Sequence, residues 1–212
     1  MKNYILPFVL LFMLSAGMVG CSKDPLRDMT AEESRIYITN RDSSINFSNF
    51  RTFSIADSVS VISNNKLEGR ESSELDRLYT DAVRQQMIAR GYTEVANDAN
   101  PDFGINVSRL YNSSTGVVSY PDYWGGYYDF YDPFYWGYPG YGYGFPGYYG
   151  VYQITEGALS IDILDIKDAS ANKTINLVWN GLVRGSGVFN TGTAATNVKA
   201  LFDQSGYITT NQ

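Results

Sequence analysis

The sequence predicts an α+β domain in which a mostly antiparallel sheet packs helices on one face, plus a long Gly/Tyr-rich irregular insert. Three observations carry this expectation. Several segments alternate apolar and polar residues with the period of a strand, one long segment repeats apolar residues at helical spacing, and a short helical segment closes the chain. With 212 residues, 44% of them hydrophobic and 18% charged, there is room for one packed domain.

The chain opens with a single charge, Lys2, followed by an apolar run that ends in Met18-Val19-Gly20-Cys21. This resembles a bacterial lipoprotein signal peptide, with Gly20 and Cys21 in a lipobox and Met18 where leucine is usual. The resemblance implies removal of residues 1–20 and attachment of lipid, palmitate among its chains, to the Cys21 thiol and then to its freed amine. An uncleaved membrane anchor is the weaker alternative, because about sixteen apolar residues fall short of the ~20 needed to span a bilayer. Two or three acyl chains hold a protein on a membrane durably. The expected location is the cell envelope, most simply the outer membrane, facing the periplasm or the cell surface. Residues 21–44 are charged and poor in aromatics, which predicts a tether.

From residue 45 to 212 the patterns are those of a single α+β domain. INFSNFRTFSI is aromatic enough for a largely buried strand. Apolar residues at Leu75, Leu78, Tyr79, Ala82, Val83 and Met87 predict a helix over residues 74–90, with Ser73 and Asp76 as a capping box and Gly91 as its stop. DFGINVSRL and ALSIDILDI alternate so that each has one dry face, carrying Phe103, Ile105 and Val107, then Leu159, Ile161 and Ile163. INLVWNGLVRG sets Ile175, Leu177, Trp179 and Val183 on one parity, and KDASANK before it reads as a hairpin turn. NVKALFDQ is a short helix.

Between these strands lies the aromatic insert, residues 113–152. Its densest part, residues 120–152, holds 12 of the 18 tyrosines and no Lys or Arg. Gly and Pro at this density predict irregular chain that contributes little to folding. Its rings offer flat apolar area with polar rims, which suits sugars and peptides. Trp124, Trp136, Tyr127, Tyr128 and Tyr135 are the candidate binding surface.

Composition excludes much chemistry. Absence of histidine removes Ser-His-Asp and Cys-His nucleophile systems and the commonest zinc ligand, and one cysteine makes neither an intrachain disulfide nor a multi-cysteine metal site. A net charge of −6 argues against nucleic acid as a partner. Gly142-Tyr143-Gly144-Phe145-Pro146-Gly147 matches a dinucleotide-binding pattern but lacks a preceding strand and contains proline. Ser63-Asn64-Asn65-Lys66 matches S-x-x-K without its companion motifs. Asp162, Asp165 and Asp168 suggest a metal site or a carboxylate pair, yet strand alternation separates Asp162 from Asp165, so solvated carboxylates are expected. Asp122, Asp129 and Asp132 are read as turn residues rather than calcium ligands. No metal and no cofactor are expected.

Together INFSNFRTFSI, the helix ending in RGY, NPDFGINV and GALSIDILDIKDASANKTINLVWNGLVRG resemble bacterial lipoproteins of the domain of unknown function 4136 family. Phe50, Thr52 and Phe53 fit its early motif, and Asp165, Trp179 and Gly181 fit its late D-x(n)-W-x-G hairpin. Asn180 stands where a basic residue is more typical. The resemblance implies an envelope lipoprotein domain and supplies no catalytic residues. The expected function is therefore a non-catalytic, lipid-anchored binding or structural role, with the membrane as one partner and an envelope glycan or protein at the insert as the other. The alternative is an envelope-polymer hydrolase whose Asp and Glu residues are brought together by the fold.

Overall fold

The computed structural model describes residues 30, 33–63, 66–111, 118–119, 142–144, 149–150, 157–167 and 169–211. In chain order these form β1 (Ile36–Arg41), β2 (Thr52–Ile55), β3 (Val59–Ser63), β4 (Lys66–Glu71), α1 (Glu74–Ala89), β5 (Thr93–Glu94), β6 (Phe103–Tyr111), β7 (Val118–Ser119), β8 (Gly142–Gly144), β9 (Tyr149–Gly150), β10 (Ala158–Asp165), the single-turn α2 (Ala169–Asn172), β11 (Thr174–Arg184) and α3 (Ala194–Asp203). The main sheet runs β1-β11-β10-β6-β2-β5. Its long ladders, β1 with β11, β11 with β10 and β10 with β6, are antiparallel, while β2 and β3 join β6 in parallel. The class is α+β and the sheet mostly antiparallel, as expected. Among the described residues no helix is long and apolar enough to cross a membrane.

Four expectations change. The tether through residue 44 does not hold at Ile36–Arg41, which pair antiparallel with β11 across Arg184 to Trp179. β1 is half-buried with polar and charged neighbours, so its alternation was hidden by composition. The strand expected over INFSNFRTFSI starts only at Thr52; before it, Phe47–Asn49 form a 3-10 turn whose Asn46 carboxamide accepts from the Ser48 N–H. β3 and β4 form a hairpin that the sequence reading missed, in which Ser63 pairs with Lys66. The S-x-x-K match is thus a hairpin end. KDASANK contains α2, not a bare turn.

Helix α1 follows its sequence signals closely. Ser73 accepts from the Asp76 N–H and the Asp76 carboxylate accepts from the Ser73 N–H, a complete capping box. Tyr79, Ala82, Val83 and Met87 are buried as the spacing requires, although Leu78 at its margin is 38% exposed. Gly91 stops the helix at φ +92°, and a Cβ there would come 2.1 Å from Thr210 Oγ1, so both conformation and space demand glycine.

One face of the sheet carries the principal core. Phe53, Phe103, Ile105, Val107, Leu159, Ile161, Ile163, Trp179 and Val183 pack there against Tyr79, Val83 and Met87 of α1 and Val198, Leu201 and Phe202 of α3. Trp179 is fully buried, donates through Nε1 to Ser205 Oγ at 2.9 Å, and lies 5.2 Å from the Phe202 ring. Its indole spreads over Gly181, where a Cβ would meet the ring at 2.4 Å. This is the physical content of the W-x-G spacing: residues two apart share a face, and the ring occupies the space of the missing side chain.

Trp179→Ala should cost about 3–5 kcal/mol through the cavity it leaves. Gly181→Ala should cost about 1–3 kcal/mol by displacing the ring. Denaturant unfolding checks both, and tolerance of Gly181→Ala would show that the indole is not seated on it.

Candidate functional site

The alternation that points apolar residues of β6 and β10 at the helices points Asn106, Ser108, Ser160 and Asp162 the other way. In β11 the same far face receives Asn180 and Leu182, the cross-strand partners of Asp162 and Ser160; the register shift between Ile163 and Leu164 leaves Val178 and Trp179 both in the principal core and turns Leu177, expected on the face of Trp179, to the far side with Leu164. Asn106, Asp162 and Asn180 are direct Cα partners across three neighbouring strands, with Ser108 and Ser160 paired beside them. All five side chains are at most 3% exposed. The expectation of a solvated Asp162 is therefore wrong: it is fully buried in mid-sheet. Asp165 lies on the opposite parity, as expected, and accepts from the Lys167 N–H at 3.1 Å.

The row is hydrogen-bonded but incomplete among the described residues. Asn180 Nδ2 donates to Asp162 Oδ1 at 2.6 Å and to Ser160 Oγ at 2.8 Å, and Ser160 Oγ donates weakly to Asp162 at 3.3 Å. Asn106 Nδ2 and Asn180 Oδ1 have no hydrogen-bond partner. One end of the row lacks an acceptor and the other lacks a donor; a hydroxyl group can supply either. Apolar residues surround the row on the same face: Leu164 and Leu177 toward one end, Leu110, Ala158 and Leu182 toward the other. All are buried, and none belongs to the core under the helices.

Other buried or half-buried charges have structural partners. Asp76, in the α1 cap, pairs with Arg109 Nε at 3.0 Å, and Arg109 also pairs with Glu71. Burial works to lower the Arg109 pKa, but the Glu71 hydrogen bond and the Asp76 charge outweigh it and hold the guanidinium above its usual value. Asp102 accepts from the N–H groups of Arg51 at 2.6 Å and Thr52 at 3.1 Å, while its own N–H donates to Thr52 Oγ1 at 2.9 Å. Phe50 stacks on Phe103 at 4.2 Å next to this lock.

The expected site residues Cys21, Trp124, Tyr127, Tyr128, Tyr135 and Trp136 lie outside the described residues, as do Asp122, Asp129, Asp132 and Asp168. Among the described residues no three His, Cys, Asp or Glu cluster as metal ligands. The row itself was missed, although a signal existed. A solvent-facing strand surface ordinarily carries Lys, Glu or Arg, whereas β6, β10 and β11 offer Asn, Ser, Ser, Asp and Asn, short side chains that fit under a covering layer.

Over residues 38–205 the chain matches the family described as Domain of unknown function (DUF4136). A crystal structure of a DUF4136 family protein from Bacteroides thetaiotaomicron VPI-5482 shares the fold with a TM-score of 0.69 at 29% identity, covering 84% of this chain and 99% of that one. A PDZ domain protein from Parabacteroides distasonis ATCC 8503 (TM-score 0.43, 15% identity, 82% of this chain and 36% of that one) is more distant. So is the PelC dodecamer of Paraburkholderia phytofirmans (TM-score 0.40, 10% identity, 84% of this chain and 99% of that one). No curated protein matches the chain.

Asn180→Ala should lower stability by about 1–3 kcal/mol, since it strips Asp162 and Ser160 of a buried donor. Thermal unfolding checks this, and an unchanged midpoint would mean that the row has access to other donors.

Proposed function

The chain belongs to the DUF4136 family, and from that premise we propose that it is a non-catalytic, lipid-anchored protein of the cell envelope, whose aromatic insert meets an envelope glycan or protein. The observation that carries the reading is the apolar leader ending at Gly20-Cys21, with only residues 22–35 between it and the first strand of the domain, Ile36–Arg41. That stretch reaches at most about 50 Å when fully extended, so an acylated Cys21 holds the domain close to a membrane.

Two features support a role without catalysis. The buried carboxylates Asp76 and Asp162 are engaged with Ser73 and Arg109 and with Ser160 and Asn180, and Asp102 ties the Arg51-Thr52 backbone to the start of β6. The residues that carry the family motifs, Phe50, Thr52, Phe53, Phe103, Trp179 and Gly181, serve packing and locking. A contact function falls to the insert, the segment richest in flat rings with hydroxyl rims.

Cys21→Ser should abolish incorporation of a clickable fatty acid and leave an unprocessed precursor; label retained on the variant would exclude this anchor. Binding of the lipid-free protein to an array of envelope glycans and peptides should fall most on paired Trp124→Ala and Trp136→Ala. It should change little between low and moderate salt, because the insert carries no cation. Binding unaffected by the pair would move the contact off these two rings.

A further inference from the structure

The chain that leads into β1 and the base of the insert lie at the same end of the sheet. Ile36 of β1, Arg184 of β11, Ala158 of β10 and Leu110 of β6 are successive Cα partners across that end. Tyr111 is the next residue on the way into the insert, and Gly157 precedes β10 on the way out. Against both packs the connection from β11 to α3, residues 185–193.

On one side this connection holds the N-terminal segment. Arg35 donates through Nε to the Ser186 carbonyl at 3.2 Å and through Nη1 to Asn197 Oδ1 at 3.4 Å. Gly185 lies so close that a Cβ there would stand 2.7 Å from the Ser34 carbonyl oxygen. On the other side Phe189 covers the base of the insert. Its ring lies 4.9 Å from that of Tyr111, and a Cβ on Gly157 would meet it at 2.5 Å. Arg109 Nη1 in turn donates to the Tyr111 hydroxyl at 3.0 Å.

Between these two grips the connection is tied to itself and to the core. The Asn190 N–H donates to the Gly187 carbonyl and the Thr193 N–H to the Asn190 carbonyl, each at 3.0 Å. The Thr193 hydroxyl reaches the Gly187 carbonyl at 3.1 Å and the Asn190 carbonyl at 2.8 Å. Val188 is buried, and its carbonyl accepts from the Tyr79 hydroxyl. A segment braced in this way shifts as one piece, so Ser186 and Phe189 move together.

We propose that residues 185–193 are a clasp coupling the N-terminal segment to the base of the insert: drawing Arg35 off Ser186 and Asn197 lifts Phe189 from Gly157 and Tyr111. Two observations select this element. Both grips fall within four residues of one hydrogen-bonded turn, Ser186 to Phe189. The strands that carry the two roots do not touch, because β11 and β10 stand between β1 and β6. A pull on the chain before β1 thereby loosens the hold on the insert, whatever attachment supplies the pull. The clasp is independent of the anchor and the ligand proposed above.

Amide hydrogen exchange read by NMR on the lipid-free protein tests it. Ile36 and Tyr37 report on the N-terminal root, Leu110 and Ala158 on the base of the insert, and Ile161 and Ile163 on the sheet interior. Thr193→Val removes the hydroxyl that ties the clasp, touches neither root, and takes no cap from α3, since this side chain makes no cap hydrogen bond. Exchange should rise about tenfold at both roots together and stay unchanged in the interior. Arg35→Ala should raise it at Leu110 and Ala158, and Phe189→Ala at Ile36 and Tyr37, each across the clasp from the substitution. No change, changes confined to the substituted side, or an equal rise at every amide including Ile161 and Ile163 would overturn the coupling.

Discussion

Strands β6, β10 and β11 are buried on both faces, and the rest of the structure answers to that constraint. A sheet core with one wet face alternates apolar and polar residues and leaves the polar ones to water. Here no water-facing side remains, so every polar group on these strands must find its partner inside. The near face solves this by being apolar, with Trp179 Nε1 satisfied by Ser205. The far face keeps Asp162 and meets its demand with Asn180 and Ser160.

The residues that mark the family are those that fix this frame. Thr52 and Asp102 exchange backbone and side-chain hydrogen bonds and so set β2 against the start of β6. Phe50 stacks on Phe103 beside them, and Trp179 closes over Gly181 under α3. The first two join β2 and the turn before it to β6, and the last sets β11 under α3. They describe how the domain holds together.

Local signals in the sequence were sufficient wherever local chemistry decides. The α1 cap, its inward face, the Gly91 stop and the three long strands followed from capping and periodicity. Long-range pairing decided the rest. β1 looked like tether because it is a polar edge strand recruited by β11, and the β3-β4 hairpin was passed over for the same lack of aromatic emphasis. The buried row was misread because alternation locates two faces without saying whether the second one is wet. Only the choice of Asn, Ser and Asp over longer charged side chains hinted at it. The insert was read as irregular from its Gly and Pro content, although its described pieces are strands, one of them paired in the main sheet.

The most direct measurement of this account is hydrogen exchange at the side-chain amide of Asn180 in the mature chain. A dry far face, in which Asn180 Nδ2 donates to Asp162 and Ser160, predicts exchange far slower than that of a solvated carboxamide. Exchange at the rate of a solvated carboxamide would contradict it.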